Sequence, residues 1–194
     1  MKFRTIFLAS SLFFAGIHSS FLQASTPLIQ SQQGSEACNF DIKFSSEPKE
    51  KQQTLNISTG VDLNLKQFVS IKQIKAANIA SNVTCQQLVG QKYTGSQQEW
   101  RGFVKNALQG LLNAGFKDLQ FTRVGEDEAT YKGKLANMEY GFTGSVGGNK
   151  QVIHNLAVLD KSHNQVIIIS VSGNEKVSDE IKDEFTQLVN SFSL

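Results

Sequence analysis

The chain predicts an α+β domain in which an antiparallel sheet is sandwiched between helices, a three-layer α-β-α arrangement over residues 37–194. Three observations lead there. Amphipathic helical patterns occur once in mid-chain and once at the C-terminus, and strand-like segments joined by short turns run between them. The last two of those segments, VIHNLAVL at 152–159 and VIII at 166–169, are almost wholly apolar, so both of their faces need cover.

The first 24 residues have the parts of a secretory signal peptide. Lys2 and Arg4 precede an apolar run from Ile6 to Ile17, which is too short to span a bilayer, and Ala24 supplies the small residue before a cut. Gly34-Ser35-Glu36-Ala37 ahead of Cys38 lacks the apolar residue of a lipobox, so no stable membrane anchor is expected after cleavage. Residues 25–36 (STPLIQSQQGSE) are polar and without period, and predict a disordered leader.

Removing the signal peptide changes the charge. The whole chain carries 19 Lys+Arg against 17 Asp+Glu; without Lys2 and Arg4 the balance is neutral. Nucleic-acid binding needs clustered cations, and no basic run remains, so nucleic acid is excluded as a partner. The remaining length suits one domain, since a chain of this size buries roughly 70% of its surface on folding.

Cys38 and Cys85 are the only cysteines, an even count in an exported chain, which predicts a disulfide. Cys38 is in phase with Phe40, Ile42 and Phe44, and Cys85 with Ile79, Val83 and Val89, so both sulfurs are expected on apolar strand faces. A nucleophilic cysteine would leave the other thiol unpaired.

Taken in order, CNFDIKF at 38–44 alternates as a strand and is broken at Ser45-Ser46-Glu47-Pro48. TLNIS at 54–58 gives a second short strand before Gly60, and Val61, Leu63, Leu65, Val69 and Ile71 keep a period of two. Residues 72–78 (KQIKAAN) read equally as helix or strand; alternation resumes from Ile79 to Val89. Ser96 and Glu99 then form a capping box, ahead of Trp100, Phe103, Val104, Ala107, Leu108, Leu111 and Leu112 at helical spacing, with Gly115 as the stop. LQFTRV at 119–124 leads to the acidic turn Gly125–Glu128, which lacks the alternating ligands and distal glutamate of a calcium loop. The closing helix has Ser178 as N-cap, acids at 179 and 180, and a stripe of Ile181, Phe185, Leu188, Val189 and Phe192.

YGFTGSVGGNK at 140–150 imitates a phosphate loop without meeting its requirements. The lysine does not follow a glycine and precedes Gln151, no pair of glycines has the dinucleotide spacing, and a strand follows where a helix N-terminus should meet the anion. Gly147-Gly148-Asn149 is therefore a hairpin turn, and Asp160–Asn164 a second one, giving a three-stranded meander. Gly141 and Gly144 are left over within a strand, where glycine marks a bulge or a close approach, so Tyr140, Gly141, Phe142 and Gly144 form a candidate binding edge.

The pattern resembles the PsbP/Mog1-like proteins and related small bacterial exported domains. The likeness is carried by Phe40, Ile42 and Phe44 followed by Pro48, by the mid-chain helix and meander, and by a last helix running into Val189, Ser191, Phe192 and Leu194. It implies a three-layer α-β-α fold and a binding or assembly role, and transfers no catalytic residue.

Chemistry-bearing motifs are scarce. His154 lies on an apolar strand face and reads as a core histidine, while His163 sits in a turn, so the two do not converge on a metal. No nucleophile elbow, zinc helix or paired carboxylates occur, and neither cofactor nor metal is expected. The expected protein is a non-enzymatic binding or assembly factor, periplasmic or secreted, whose partner is a protein or a small envelope or host ligand. The alternatives are a secreted effector acting on a host and a small hydrolase with a site assembled from distant residues.

Overall fold

The computed structural model describes residues 38–194; the expected signal peptide (1–24) and disordered leader (25–36) lie outside the described residues. Period-two patterning dominates the described chain. Seven strands, β1 (Lys49–Ser58), β2 (Val61–Ile74), β3 (Ala77–Val89), β4 (Lys117–Arg123), β5 (Ala136–Val146), β6 (Asn149–Asp160) and β7 (Gln165–Asn174), form one sheet in the order β1-β2-β3-β7-β6-β5-β4. Every pairing is antiparallel. The helices are α1 (Gln97–Asn113) and α2 (Ser178–Ser191).

These proportions correct the expected three-layer sandwich. With 50% strand against 22% helix among the described residues, this is a β-rich fold, and two short helices do not make layers over seven strands. The difference arises largely between residues 49 and 89, where the sequence shows short strands and an ambiguous stretch. There β2 runs for 14 residues and β3 for 13. They join through Lys75-Ala76, with φ of 49° and 62°, a two-residue turn made without glycine or asparagine.

CNFDIKF alternates as expected but is not a strand of the sheet. It lies extended beside the end of α2, held by a reciprocal backbone pair between Asp41 and Ser193 (2.9 and 3.0 Å). Phe40 packs on Phe68 and Phe192, with ring centroids 5.8 and 6.0 Å apart. The Cys38–Cys85 disulfide forms as predicted and staples this segment to β3, with Cα atoms 5.7 Å apart. Cys85 shares its buried face with Ile79 and Val83, whereas Val89 at the strand end is exposed.

Each face of the sheet has its own core. On one, Ile79, Val83, Leu156, Val158, Ile167, Ile169 and Val171 meet Ile181, Phe185 and Leu188 of α2. Glu184, buried at the same junction, accepts from Ser45 Oγ at 2.6 Å and Ser81 Oγ at 3.3 Å, and lies 3.5 Å from Lys72 Nζ. It thus ties the N-terminal segment, β2 and β3 to α2. A single 3₁₀ turn, Glu175–Val177, precedes α2; its cap is Asn174, and Ser178 is the first helical residue with no capping bond, so the cap lies earlier than expected.

On the other face α1 starts at the expected serine cap, but the glutamate reaches past the Ser96 N–H, which donates to Thr94 Oγ1 at 3.1 Å. Ser96 Oγ accepts from Glu99 N at 3.3 Å, and the Glu99 carboxylate reaches back to the N–H groups of Gly95 at 2.6 Å and Thr94 at 3.1 Å. Gly115, at φ 86°, stops it. Phe103 and Leu111 are buried; Leu112, expected on the stripe, is exposed.

The meander β5-β6-β7 and its turn at Gly147-Gly148 stand as predicted, with φ of 57° and 78°. β6 and β7 are buried on both faces over most of their length. In the second turn Asn164 Nδ2 donates to the carbonyls of Leu88 (2.7 Å) and Gln91 (2.8 Å), latching the meander to the end of β3.

Candidate ligand cavity

Strands covered on both sides ordinarily carry apolar residues on both faces. On the α1 face the central strands depart from this. Asn82 on β3 pairs with Ser170 on β7, Ser170 pairs with Asn155 on β6, and Asn155 pairs with Tyr140 on β5. Because partners in register point to the same face, these four side chains form one polar row across the middle of the sheet. Thr84 and Ser172 flank it on the same face, two residues along from Asn82 and Ser170 respectively and on opposite sides of the row.

Helix α1 spans this row without filling the space beneath it. Phe103, Asn106, Ala107, Gly110 and Leu111 form a roof, Leu63, Leu88, Tyr93, Phe142 and Ile153 are among the walls, and a cavity of about 130 Å³ remains. The small residues Ala107 and Gly110 keep the roof off the floor. Partial pairing orders the floor: Gln67 Nε2 donates to Asn82 Oδ1 at 3.1 Å, Ser170 Oγ to Asn155 Oδ1 at 2.8 Å, and Asn155 Nδ2 to the Tyr140 carbonyl at 3.4 Å. Asn106 and Ser172 make no side-chain hydrogen bond among the described residues, so their polar groups are available to an occupant.

The lining contains asparagine, glutamine, serine, threonine and tyrosine, but no Asp, Glu, Lys, Arg or His among the described residues. Its two phenols stay neutral. Burial pushes Tyr140 well above the ordinary tyrosine value, and burial reinforced by the negative charge of Glu99 does the same for Tyr93. Such a site can hold and orient an uncharged molecule; it has no group to act as a base near neutral pH.

The sequence-predicted site residues divide between the two faces. Tyr140 and Phe142 line the cavity. Gly141 lies on the opposite face, in register with His154, and Gly144 takes the close approach of β4: a Cβ there would sit 3.0 Å from Lys117 O and 2.9 Å from Leu119. The β4 register shifts between Lys117 and Gln120 at this point. β5 lies between β4 and β6, so this stretch is interior to the sheet, whose outer strands are β1 and β4. Asn82, Asn106 and Ser170 were not visible as site residues. The signal lay in phase, since Asn82, Thr84 and Gln86 recur on one face of β3 while Ser170 and Ser172 continue the phase of Ile168.

His154 is half-buried on the α2 side, its ring 5.6 Å from that of Phe185. Burial, with a smaller push from Lys182, lowers its pKa below the ordinary imidazole value. The other notable cluster is Asp160, Ser162 and His163 in the β6–β7 turn. Burial raises the Asp160 carboxyl, but hydrogen bonds from Ser162, His163 and Gln165 outweigh it and hold the group below its ordinary value. These are the residue types of a hydrolytic triad in the wrong arrangement. Both Asp160 and Ser162 contact the same ring nitrogen, Nδ1, and Ser162 Oγ donates to Asp160 rather than to the histidine's Nε2. The cluster caps a turn. Among the described residues no three His, Cys, Asp or Glu side chains gather as metal ligands, and no helix is long and apolar enough to cross a membrane.

No family model matches the chain, and no curated protein matches it. Among solved structures, the crystal structure of LpqN, involved in cell envelope biogenesis of Mycobacterium tuberculosis, is similar at a TM-score of 0.41 and 10% identity, over 80% of this chain and 90% of that one. A likeness at this level carries no argument about fold or role.

Proposed function

We propose that the protein is a non-enzymatic binding protein that works outside the cytoplasm and holds a small ligand between α1 and the sheet. The cavity between the polar row Asn82–Ser170–Asn155–Tyr140 and the largely apolar roof of α1 carries this reading. The row's buried groups pair among themselves, so the support lies in the unfilled space above them and in Asn106 and Ser172, which line it without a side-chain hydrogen bond among the described residues. The disulfide and the signal-like N-terminus support an oxidising compartment, and the balanced charge left once Lys2 and Arg4 are removed argues against a nucleic-acid partner. On this reading the partner is a small molecule of the cell envelope, and the binding edge expected at 140–144 is replaced by the cavity that Tyr140 and Phe142 help to line.

The test is native mass spectrometry of the disulfide-bonded protein after incubation with an organic-solvent extract of cell envelopes. A discrete small-molecule adduct is expected, and it should disappear in Ala107→Trp, whose indole fills the roof, while far-ultraviolet circular dichroism stays unchanged. An adduct indifferent to that substitution, or no adduct, overturns the reading.

A further inference from the structure

We infer that the cavity takes an uncharged ligand part, a ring-sized apolar group bearing a neutral hydrogen-bonding function such as an amide, ester or hydroxyl, and rejects carboxylates, phosphates and amines. This deepens the binding reading and rests on it. Size sets the first limit. At about 130 Å³ the interior is close to the roughly 150 Å³ engineered apolar cavity that accepts benzene, so it seats one ring, and any longer part of a ligand stays outside through the open side.

Charge sets the second. An anion or cation entering this space leaves its hydration behind and meets no counter-ion, since the nearest ionisable linings, Tyr93 and Tyr140, are neutral phenols. A neutral amide or hydroxyl loses less on entry and finds replacements. Ser170 and Asn155 lie at the centre of the floor, and Asn106 lines the same cavity from α1. Phe103 and Phe142 give the ring its apolar contacts. The arrangement selects by absence of charge at least as much as by shape.

The experiment uses four probes of one size: benzamide, toluene, benzoate and benzylamine, titrated into the isotopically labelled, disulfide-bonded protein and followed by backbone amide shifts. Benzamide should shift the amides of Asn82, Phe103 and Ser170 and bind at least about tenfold more tightly than benzoate or benzylamine, with toluene between them. Ser170→Ala should weaken benzamide and leave toluene unchanged. Benzoate or benzylamine binding as well as benzamide at these residues overturns the ligand class but leaves the cavity a binding site. If no probe shifts these amides while the envelope extract yields an adduct sensitive to Ala107→Trp, the ring-sized inference falls and the binding reading stands. Blanks in both experiments remove both.

Discussion

Ser170 Oγ donates to Asn155 Oδ1 at 2.8 Å across the β7–β6 pairing, in the middle of the sheet where its α1 face turns polar. The bond orients the Asn155 amide so that its nitrogen addresses the Tyr140 carbonyl. Removing the donor leaves Asn155 Oδ1 without its partner. Ser170→Ala is expected to lower unfolding stability by about 1 kcal/mol, the ordinary net worth of such a bond. Urea denaturation at fixed m-value measures it, and an unchanged midpoint would mean that the pair does not order the floor.

The disulfide should matter more. It closes a loop across 47 residues and holds a segment whose backbone–backbone pairing among the described residues is confined to the Asp41–Ser193 bridge. Loop-closure entropy puts its contribution at about 4 kcal/mol. Unfolding with and without reductant measures the difference, and peptide mapping under non-reducing conditions should recover Cys38 joined to Cys85. A reduced protein as stable as the oxidised one would contradict the staple.

Acid sensitivity should trace in part to His154. Its folded pKa is lowered from 6.5 by burial first and by Lys182 second. The unfolded chain therefore binds the proton more readily. His154 imposes no penalty above the unfolded value and a growing one as pH falls from about 6.5 towards the folded value. Unfolding free energies measured between pH 7.5 and 5 should decline, and His154→Phe should flatten part of that slope. An identical slope in the variant would place the sensitivity elsewhere.

Two glycines should respond to alanine with opposite signs. Gly102, inside α1, has open space where a Cβ would go, so Gly102→Ala should stabilise by about 0.5–1 kcal/mol through helix propensity. At Gly144 the Cβ meets the Lys117 carbonyl at 3.0 Å, and backbone does not yield as a side chain would. Gly144→Ala should destabilise by about 1–3 kcal/mol. Thermal melts of the two variants check both signs together.

Much of the fold was legible in the sequence because local rules coincide with the structure. The meander, the Gly147-Gly148 turn, the start and stop of α1 and the cysteine pairing all follow from nearest-neighbour chemistry and phase. The β2–β3 turn was hidden because Lys75 and Ala76 adopt positive φ, a conformation their side chains disfavour and the flanking strands impose. CNFDIKF alternates like a strand because one face packs against Phe68 and Phe192, not because it joins a ladder. The cavity was hidden for another reason. Asn82, Ser170 and Asn155 lie far apart in sequence, and only the pairing of β3 with β7 and β7 with β6 assembles them.

The position of β7 also governs the order of assembly. It is the last strand made, yet it lies between β3 and β6 and is the sole ladder joining the two halves of the sheet. A chain delivered from its N-terminus can form the β1–β3 hairpins and close its sulfur bridge early, but it carries β3 with one unsatisfied edge until almost the whole length has arrived. During that interval the β3 edge is a docking strip for any other extended chain. Holding factors, rather than catalysts of turn formation, are what such a nascent chain would need.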